Sequence, residues 1–228
     1  MYDLVFYHIP KCGGTSIRNY IGKIFLKKNY PVDNIYISKV SNGLKDLMSE
    51  KDIESMKDVL KNKKVILSHI NNKLHMLLKS KINITCIRNP INRLVSSFNH
   101  FTLLNDNSKT LTDIYLNDKA SFDKLCQNIY NNKIWMREIH DYDYIIIFEN
   151  LENDLIQIKN KLQVNDAIPI DHQDPGKMNK TNKNYFKWDF ENSTQVDMYE
   201  YIKVRLKEDI DKYNKICKIK NLRDLIIK

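Results

Sequence analysis

A short stretch near the start of the sequence, "PKCGGTS", has the residue types of an anion-binding loop. The adjacent Gly13 and Gly14 allow backbone conformations that are closed to other residues, so that amide N–H groups can converge on a ligand. Thr15 and Ser16 add hydroxyl donors, and Lys11 adds a mobile positive charge. The pattern predicts a loop that binds an anion such as a phosphate group. A tight Gly-Gly turn without a ligand is the alternative.

The segments on either side of this loop predict the elements that hold it. The run Leu4–Ile9 is almost entirely apolar, as in a central parallel strand that is covered on both faces. After the glycines, apolar residues recur with helical spacing, so the positive end of a helix dipole would face the anion. The loop is not a Walker loop, because Lys11 precedes both glycines. The residues with helical spacing are Ile17, Tyr20, Ile21, Ile24 and Phe25.

A second stretch, "CIRNPINRLVSSF", also places cationic and hydroxyl groups at the end of a predicted strand. The strand ends at Arg88, and Asn89 and Pro90 suit the N-cap and first turn of a helix. The guanidinium of Arg88 and the hydroxyl of Ser96 would suit a phosphate, although an ordinary surface ion pair is the alternative for the arginine. The polar side of the helix is predicted to carry Asn92, Arg93 and Ser96, and its buried stripe Leu94, Val95, Phe98 and Phe101.

The order of strand and helix patterns predicts an α/β fold with a central parallel sheet flanked by helices in three layers. We expect one domain over residues 1–228, because there is no repeat and no clean linker. Ligands of such sheets bind beyond the carboxyl ends of the strands. Further strands are predicted at Asn34–Val40, Lys64–Ile70, Ile82–Ile87 and Tyr144–Phe148, helices near Leu44–Leu60, Pro90–Leu104, Phe122–Ile139, Leu151–Leu162 and Ser193–Lys218, and loops at Asn71–Lys79, Asn105–Asp118 and Asp171–Lys187.

The charge of the chain favours an anionic ligand or partner but does not specify one. The 37 Lys and Arg residues outnumber the 28 Asp and Glu residues, for a formal net charge of +9. Most of this positive charge is lysine, which is equally consistent with a solvated surface and with a basic binding patch.

The cysteines and the start of the sequence indicate a cytoplasmic protein. Cys12, Cys86, Cys126 and Cys217 have no CxxC spacing, so we expect free thiols in a reducing compartment and neither a zinc site nor a disulfide framework. The first residues carry no pattern of a signal peptide, and no apolar stretch is long enough to span a bilayer.

The two stretches together resemble the PAPS-dependent sulfotransferases, where PAPS is 3′-phosphoadenosine 5′-phosphosulfate. The resemblance is to the carbohydrate branch that includes heparan sulfate 2-O-sulfotransferase and its bacterial relatives. "HIPKCGGTS" is similar to the 5′-phosphosulfate loop of that family, and "RNPINRLVSSF" to its 3′-phosphate motif. "IIIFENL", "KMNKTNKNYF" and "LKEDIDKY" resemble later family segments in the same order. The resemblance implies a P-loop-like sulfotransferase fold.

The same resemblance implies which residues bind the cofactor. The 5′-phosphosulfate would be held by the loop residues Lys11, Cys12, Gly13, Gly14, Thr15 and Ser16, with Cys12 contributing its backbone N–H. The 3′-phosphate would be held by Arg88 and Ser96. Lys180 and Thr181 would close over the nucleotide. Lys11 would also neutralise charge on the leaving phosphate, and the product would be adenosine 3′,5′-bisphosphate. No metal is needed.

The transfer step needs a base for the acceptor hydroxyl, and histidine suits this role. His69 is the first choice, because it ends a predicted strand and "SHI" resembles the family segment that carries a base. His8, at the tip of the first strand, is the second choice, or else a packed neighbour of the loop. Glu149 also ends a strand and is a third candidate.

The predicted reaction is sulfuryl transfer from PAPS to a hydroxyl, most naturally of a sugar or a glycosylated metabolite. Two other functions fit parts of the sequence. An ATP-dependent P-loop-like kinase is disfavoured by the missing Walker lysine and by the Arg88 and Ser96 pair, which suits a phosphate that ATP lacks. A non-catalytic basic module could bind polyanions through surface lysines. Nucleic acid is not the expected partner.

Overall fold

The computed structural model describes residues 1–37, 56, 58–68, 78–105, 109–130, 142–171 and 185–226. The chain groups into two compact units, each made of two separated segments. The first unit comprises Met1–Ile87 and Lys133–Gln173, and the second comprises Arg88–Asn132 and Asp174–Lys228. Within the described residues, no helix combines the length and apolar character that crossing a membrane requires.

A five-stranded parallel sheet forms the core of the first unit. Its strand order is β2-β3-β1-β4-β5, so the first strand of the chain lies at the centre. The middle of β1 is fully buried, as expected of a strand that is covered on both faces. The strands are β1 (Tyr2–Tyr7), β2 (Ile35–Ile37), β3 (Val65–Ser68), β4 (Ser80–Ile87) and β5 (Tyr144–Ile147).

Helices of the first unit pack against its sheet. Helix α1 (Gly14–Lys27) follows β1, contacts β3, and buries the apolar face that the sequence predicts. A second helix, which is α5 in chain order (Leu151–Lys161), follows β5 and packs against both that strand and α1. Short 3-10 turns at Val32–Asn34 and Phe148–Asn150 complete the connections.

Helices form the described part of the second unit. They are α2 (Pro90–Asn105), α3 (Leu111–Asn117), α4 (Lys119–Tyr130), α6 (Ser193–Arg205) and α7 (Lys207–Ile226). Helices α4 and α6 are joined by the Tyr201 hydroxyl, which donates to Oδ1 of Asp123 at 2.6 Å, and by Arg205, which pairs with the same carboxylate. Helix α3 contacts α6, and α7 contacts α2.

The predicted fold class is confirmed: an α/β fold with a central parallel sheet and flanking helices, of the three-layer kind. Two local predictions are wrong. The predicted loop Asn105–Asp118 contains helix α3, whose start is fixed by a capping box in which Thr110 and Asp113 bond reciprocally. The predicted single helix Ser193–Lys218 is two helices, separated at Leu206. The predicted helix near Leu44–Leu60 falls mostly outside the described residues.

Candidate active site

The anion-binding loop follows β1 directly, at the carboxyl end of the central strand. The chain passes through Lys11, whose φ is 65°, and Gly13, whose φ is 77°, before α1 begins at Gly14. Both φ values lie in the left-handed region, which glycine adopts readily and lysine rarely does. The backbone therefore turns sharply at the loop, as the pair of glycines predicts.

The two glycines are also required by their neighbours. A Cβ atom on Gly13 would lie 2.5 Å from the Phe148 ring, and a Cβ atom on Gly14 would lie 1.8 Å from the imidazole of His8. Real Cβ contacts are never that short, so the aromatic rings occupy the space that side chains would need. Close packing thus explains both glycines whether or not a ligand is bound, and it is compatible with a role of the loop in anion binding.

The start of α1 presents backbone donors without a competing acid. The first bond of the helix runs from the Ile17 N–H to the Gly13 carbonyl at 3.2 Å, so the three preceding amides receive no acceptor from the helix itself. Gly13 has no side chain to cap them, and no acidic residue lies in the first turn. The hydroxyls of Thr15, half-buried, and Ser16, buried, belong to the same turn. This set of donors suits an oxyanion.

Cys12 is locked into the loop by backbone and thiol contacts. Its side chain is buried, and the Sγ–H of Cys86 in β4 donates to its carbonyl oxygen at 2.8 Å. Its own N–H donates to the Ile9 carbonyl at 3.3 Å. An anion that binds the Cys12 amide, as the sequence predicts, would have to replace that long bond.

Of the predicted bases, His8 and Glu149 lie within the described residues. His8 is buried, stacks on Phe6 with ring centroids 6.0 Å apart, and packs over Gly14, so the structure brings it to the loop. Glu149 is exposed on the 3-10 turn after β5. His69 lies outside the described residues. Strand β3 ends one position earlier, at Ser68, which pairs with Tyr7 of β1.

A buried carboxylate that the sequence analysis missed shapes the turn after β5. Asp154 accepts from the Ile147 N–H at 2.7 Å and from the Asn150 side chain at 2.8 Å, and it is 2% exposed. These bonds fix the turn that carries Phe148, the ring beside Gly13. The signal in the sequence is an acidic residue in the first turn of the helix after the strand, which is a common position for such contacts.

The second predicted stretch belongs to the second unit. Its helix α2 begins as predicted: the Asn89 side chain accepts from the N–H groups of Ile91 and Asn92 at 3.0 and 3.3 Å, and Pro90 is the first helical residue. Arg88 lies two residues before this helix and Ser96 is its seventh residue, and both are half-buried.

One residue of this helix lies on a different side from the one predicted. Arg93 is 4% exposed, so its assignment to the polar side is wrong, whereas the predicted burial of Leu94 and Phe98 is confirmed. Helix α7 packs against α2, and the charge of Arg93 acts on Asp209 of α7. Burial raises the pKa of Asp209 to about 6, while Arg93 opposes the rise.

A pair of hydrogen bonds fastens another segment to α2. The Asn99 side chain donates to the Phe186 carbonyl at 3.0 Å and accepts from the Phe186 N–H at 2.9 Å, and both residues are buried. Asn99 lies one helical turn after Ser96, on the same side of the helix. The predicted nucleotide residues Lys180 and Thr181 lie outside the described residues.

Among the described residues, neither the cysteines nor the other residues of metal-binding type form a further reactive or metal-binding site. None of the four cysteines forms a disulfide, and burial raises the pKa of the Cys126 thiol to about 11, which makes it a poor nucleophile. Across the described ranges, no group of three or more His, Cys, Asp or Glu residues could hold a metal ion.

The fold is that of known sulfotransferases. Eleven chains of solved structures match this chain. One is the crystal structure of a sulfotransferase from Alicyclobacillus acidocaldarius, with a TM-score of 0.52, 12% sequence identity, and coverage of 92% of this chain and 96% of that chain. At this identity the likeness shows the fold alone.

The sequence gives the family. The model of the sulfotransferase family matches residues 1–216, which is nearly the whole chain, and it includes the loop after β1. No curated protein sequence matches the chain. The protein therefore belongs to the sulfotransferase family and is a transferase enzyme.

Proposed function

We propose that this protein transfers the sulfuryl group of PAPS to a hydroxyl of a carbohydrate or of a glycosylated metabolite. The observation that carries the proposal is the loop Lys11–Ser16 at the carboxyl end of β1, in a chain that belongs to the sulfotransferase family. The match spans segments of both compact units, which supports one sulfotransferase domain over residues 1–228.

The donors at the loop fit the 5′-phosphosulfate of PAPS. The first turn of α1 offers amides and the hydroxyls of Thr15 and Ser16, and it carries no acid that would repel a dianion. Lys11 supplies the positive charge on the loop. When bound, PAPS supplies the sulfuryl group and a phosphate leaving group. The work of the loop is to orient that end and to neutralise charge as it develops, through Lys11 above all.

The 3′-phosphate is assigned to Arg88 and Ser96. An arginine fork before a helix and a hydroxyl two turns along it are a suitable receptor for a phosphate monoester, and ATP has no phosphate at the 3′ position. Lys180 and Thr181 are proposed to bind the nucleotide on the basis of the family resemblance alone. Cys12 is proposed to contribute its backbone N–H.

For the base we propose His69. It directly follows β3, whose last residue pairs with the last residue of β1, and β1 in turn leads into the loop. His8 is the second candidate, but its ring is buried between Phe6 and Gly14, which favours a packing role. Glu149 is the third. A placed base is typically worth about 10²–10⁴-fold in rate.

The proposal also covers the acceptor and the compartment. A sugar acceptor is proposed from the resemblance to the carbohydrate branch. A cytoplasmic location is proposed because none of the four cysteines forms a disulfide and three of them are buried.

Calorimetric titration with adenosine 3′,5′-bisphosphate and with ATP tests the cofactor. We expect the bisphosphate to bind without a metal ion and ATP to bind far more weakly. Arg88→Ala should weaken bisphosphate binding by about 10-fold to 100-fold, the cost of a lost charged hydrogen bond, whereas Arg223→Ala in α7 should leave it unchanged. Preference for ATP with magnesium would favour a kinase, and no nucleotide binding would favour a polyanion-binding module.

A transfer assay with radiolabelled PAPS and a panel of carbohydrate acceptors tests the base. His69→Ala should abolish turnover and keep bisphosphate binding. Retained turnover would transfer the role to His8 or Glu149, and the same assay on His8→Ala and Glu149→Gln would decide between them.

A further inference from the structure

A lysine-rich cavity lies at the opposite end of the sheet from the anion-binding loop, within the first unit. Its volume is about 330 Å³. We call it the lysine cavity, and it is lined by Met1, Tyr2, Lys61, Lys63, Lys64 and Lys79. Tyr2 begins β1, Lys64 precedes β3 and Lys79 precedes β4, so the cavity lies at the amino ends of three neighbouring parallel strands.

Among the described residues, none of the four cavity lysines has a carboxylate as its ion-pair partner. In the described part of the chain, Lys61, Lys64 and Lys79 form no ion pair, and Lys63 donates only to the neutral carbonyl of Asp33, at 2.6 Å. Roughly one residue in seven of the chain is lysine, whereas four of the six lining residues are. Lysine is therefore several times more frequent around the cavity than in the chain as a whole.

One acid close to the cavity, Asp3, is already engaged. Asp3 forms an ion pair with Lys81 at 2.7 Å and accepts from the Tyr30 hydroxyl at 3.1 Å. Lys81 above all, with help from Tyr30 and from the charge of Lys64, keeps the pKa of Asp3 below its usual range, so it stays ionised. Because Asp3 is shared in this way, it offsets only part of the positive charge of the four lysines that line the cavity.

The backbone holds these lysines in place. The Asp3 N–H donates to the Lys64 carbonyl at 2.7 Å, and the Tyr2 N–H donates to the Lys79 carbonyl at 2.9 Å. The Lys64 N–H in turn donates to the Asn34 carbonyl at 2.8 Å. Because strand pairing fixes the Cα positions, the like charges cannot separate except by extending their side chains into water. A counter-anion would remove that repulsion.

We propose that the lysine cavity binds a compact oxyanion that carries several phosphate or sulfate groups. Such a ligand matches both the surplus charge and the volume, whereas a single exposed lysine would bind no anion selectively. The site is separate from the loop after β1, since the two lie at opposite ends of the same strands, and the inference does not depend on the proposed sulfuryl transfer.

Calorimetry at low salt tests the cavity with two compact probes that each carry three anionic groups, inorganic tripolyphosphate and glycerol trisulfate. The variants are Lys64→Gln and Lys79→Gln. The matched control is Lys207→Gln, which removes one exposed lysine from α7 and keeps the same net charge as each test variant. The anion-binding loop is unaltered in all of them, so its own affinity for the probes cancels in the comparison.

We expect each cavity variant to weaken binding of at least one probe by about tenfold relative to Lys207→Gln, the effect of one charged hydrogen bond. The probe that shows the larger loss indicates whether phosphate or sulfate groups are preferred. Affinity for adenosine 3′,5′-bisphosphate should be unchanged in both variants.

Equal affinities in the cavity variants and the control overturn the inference, as does the absence of binding by either probe. Failure of wild-type protein to bind adenosine 3′,5′-bisphosphate would instead overturn the proposed function and leave the cavity result standing. The two failures are therefore distinguishable.

Discussion

The adjacent Gly13 and Gly14 shape the loop for two different structural reasons. Gly13 supplies the left-handed φ of 77° at the start of α1. Gly14 has ordinary helical backbone, but it leaves room for the His8 ring, which is buried against it. The sequence predicts a loop here from the pair alone. It offers the packing of His8 against the loop only as an alternative and does not reveal the role of Phe148, because these contacts exist only once β1, β5 and α1 are assembled.

Gly14→Ala should therefore damage the loop. The new methyl group would overlap the His8 imidazole, so we expect a clear loss of thermal stability and of bisphosphate affinity, measured by calorimetry. Gly22→Ala in the same helix is the matched control, since its Cβ would meet only Ile37 and Leu67 methyl groups at 3.7 and 3.8 Å. The free energy of unfolding of that variant should increase by about 0.5–1 kcal/mol. Equal effects of the two substitutions would contradict the steric role of His8.

At the scale of elements, helix α2 shows where sequence patterns succeed and fail. Its start was predictable, because Asn89 and Pro90 are local signals and the cap bonds are local. The burial of Arg93 was not, since the side of α2 that is covered depends on α7, more than a hundred residues later. Helix α3 was missed although Thr110 and Asp113 carry its capping signal, because its seven residues are too few to show a helical repeat of apolar residues.

The two hydrogen bonds between the Asn99 side chain and the Phe186 backbone require a side-chain amide at position 99. Asn99→Asp keeps the shape but places a carboxylate against the Phe186 carbonyl, so we expect a loss of about 1–3 kcal/mol in the free energy of unfolding, measured in urea. Asn214→Asp, at an exposed position of α7, should change it by less than about 0.5 kcal/mol.

Because a protonated carboxyl can donate again, the Asn99→Asp deficit should shrink as the pH falls. A deficit that is equal at neutral and mildly acidic pH would show that the second bond, from Asn99 to the Phe186 carbonyl, is not what stabilises this contact.

At the scale of the whole molecule, stability should depend on pH through Asp209. Its pKa of about 6 lies above the ordinary value of 3.8, chiefly because of burial, and the charge of Glu208 adds to the rise while Arg93 and Lys212 oppose it. A raised folded-state pKa means that the stabilising contribution is complete below about 3.8 and is lost as the pH rises through about 6.

Asp209→Asn removes that loss. We expect the melting temperature of the variant to exceed that of the wild type by a few degrees above pH 6, and the difference to vanish toward pH 4. Asp211→Asn, on an exposed position of the same helix, should show no such pH-dependent difference. A constant difference across this range would place the effect elsewhere.

The fold class and the positions of all five strands could be predicted from the sequence, because buried parallel strands are apolar throughout and are separated by helical patterns. The division into two units, each built from interleaved segments, could not, since it depends on contacts between distant parts of the chain. The lysine cavity was equally hidden. In sequence Lys61, Lys63 and Lys64 are neighbours, but Lys79 and Tyr2 join them only through strand pairing.

The central position of β1 has a consequence during synthesis. Both of its neighbours, β3 and β4, are translated some 60 residues or more after it, so its apolar side chains leave the ribosome with no strand to pair with. Until those partners emerge, both edges of β1 in the nascent chain have unpaired backbone groups and exposed apolar side chains. Chains in that state are prone to aggregate, and chaperones protect them.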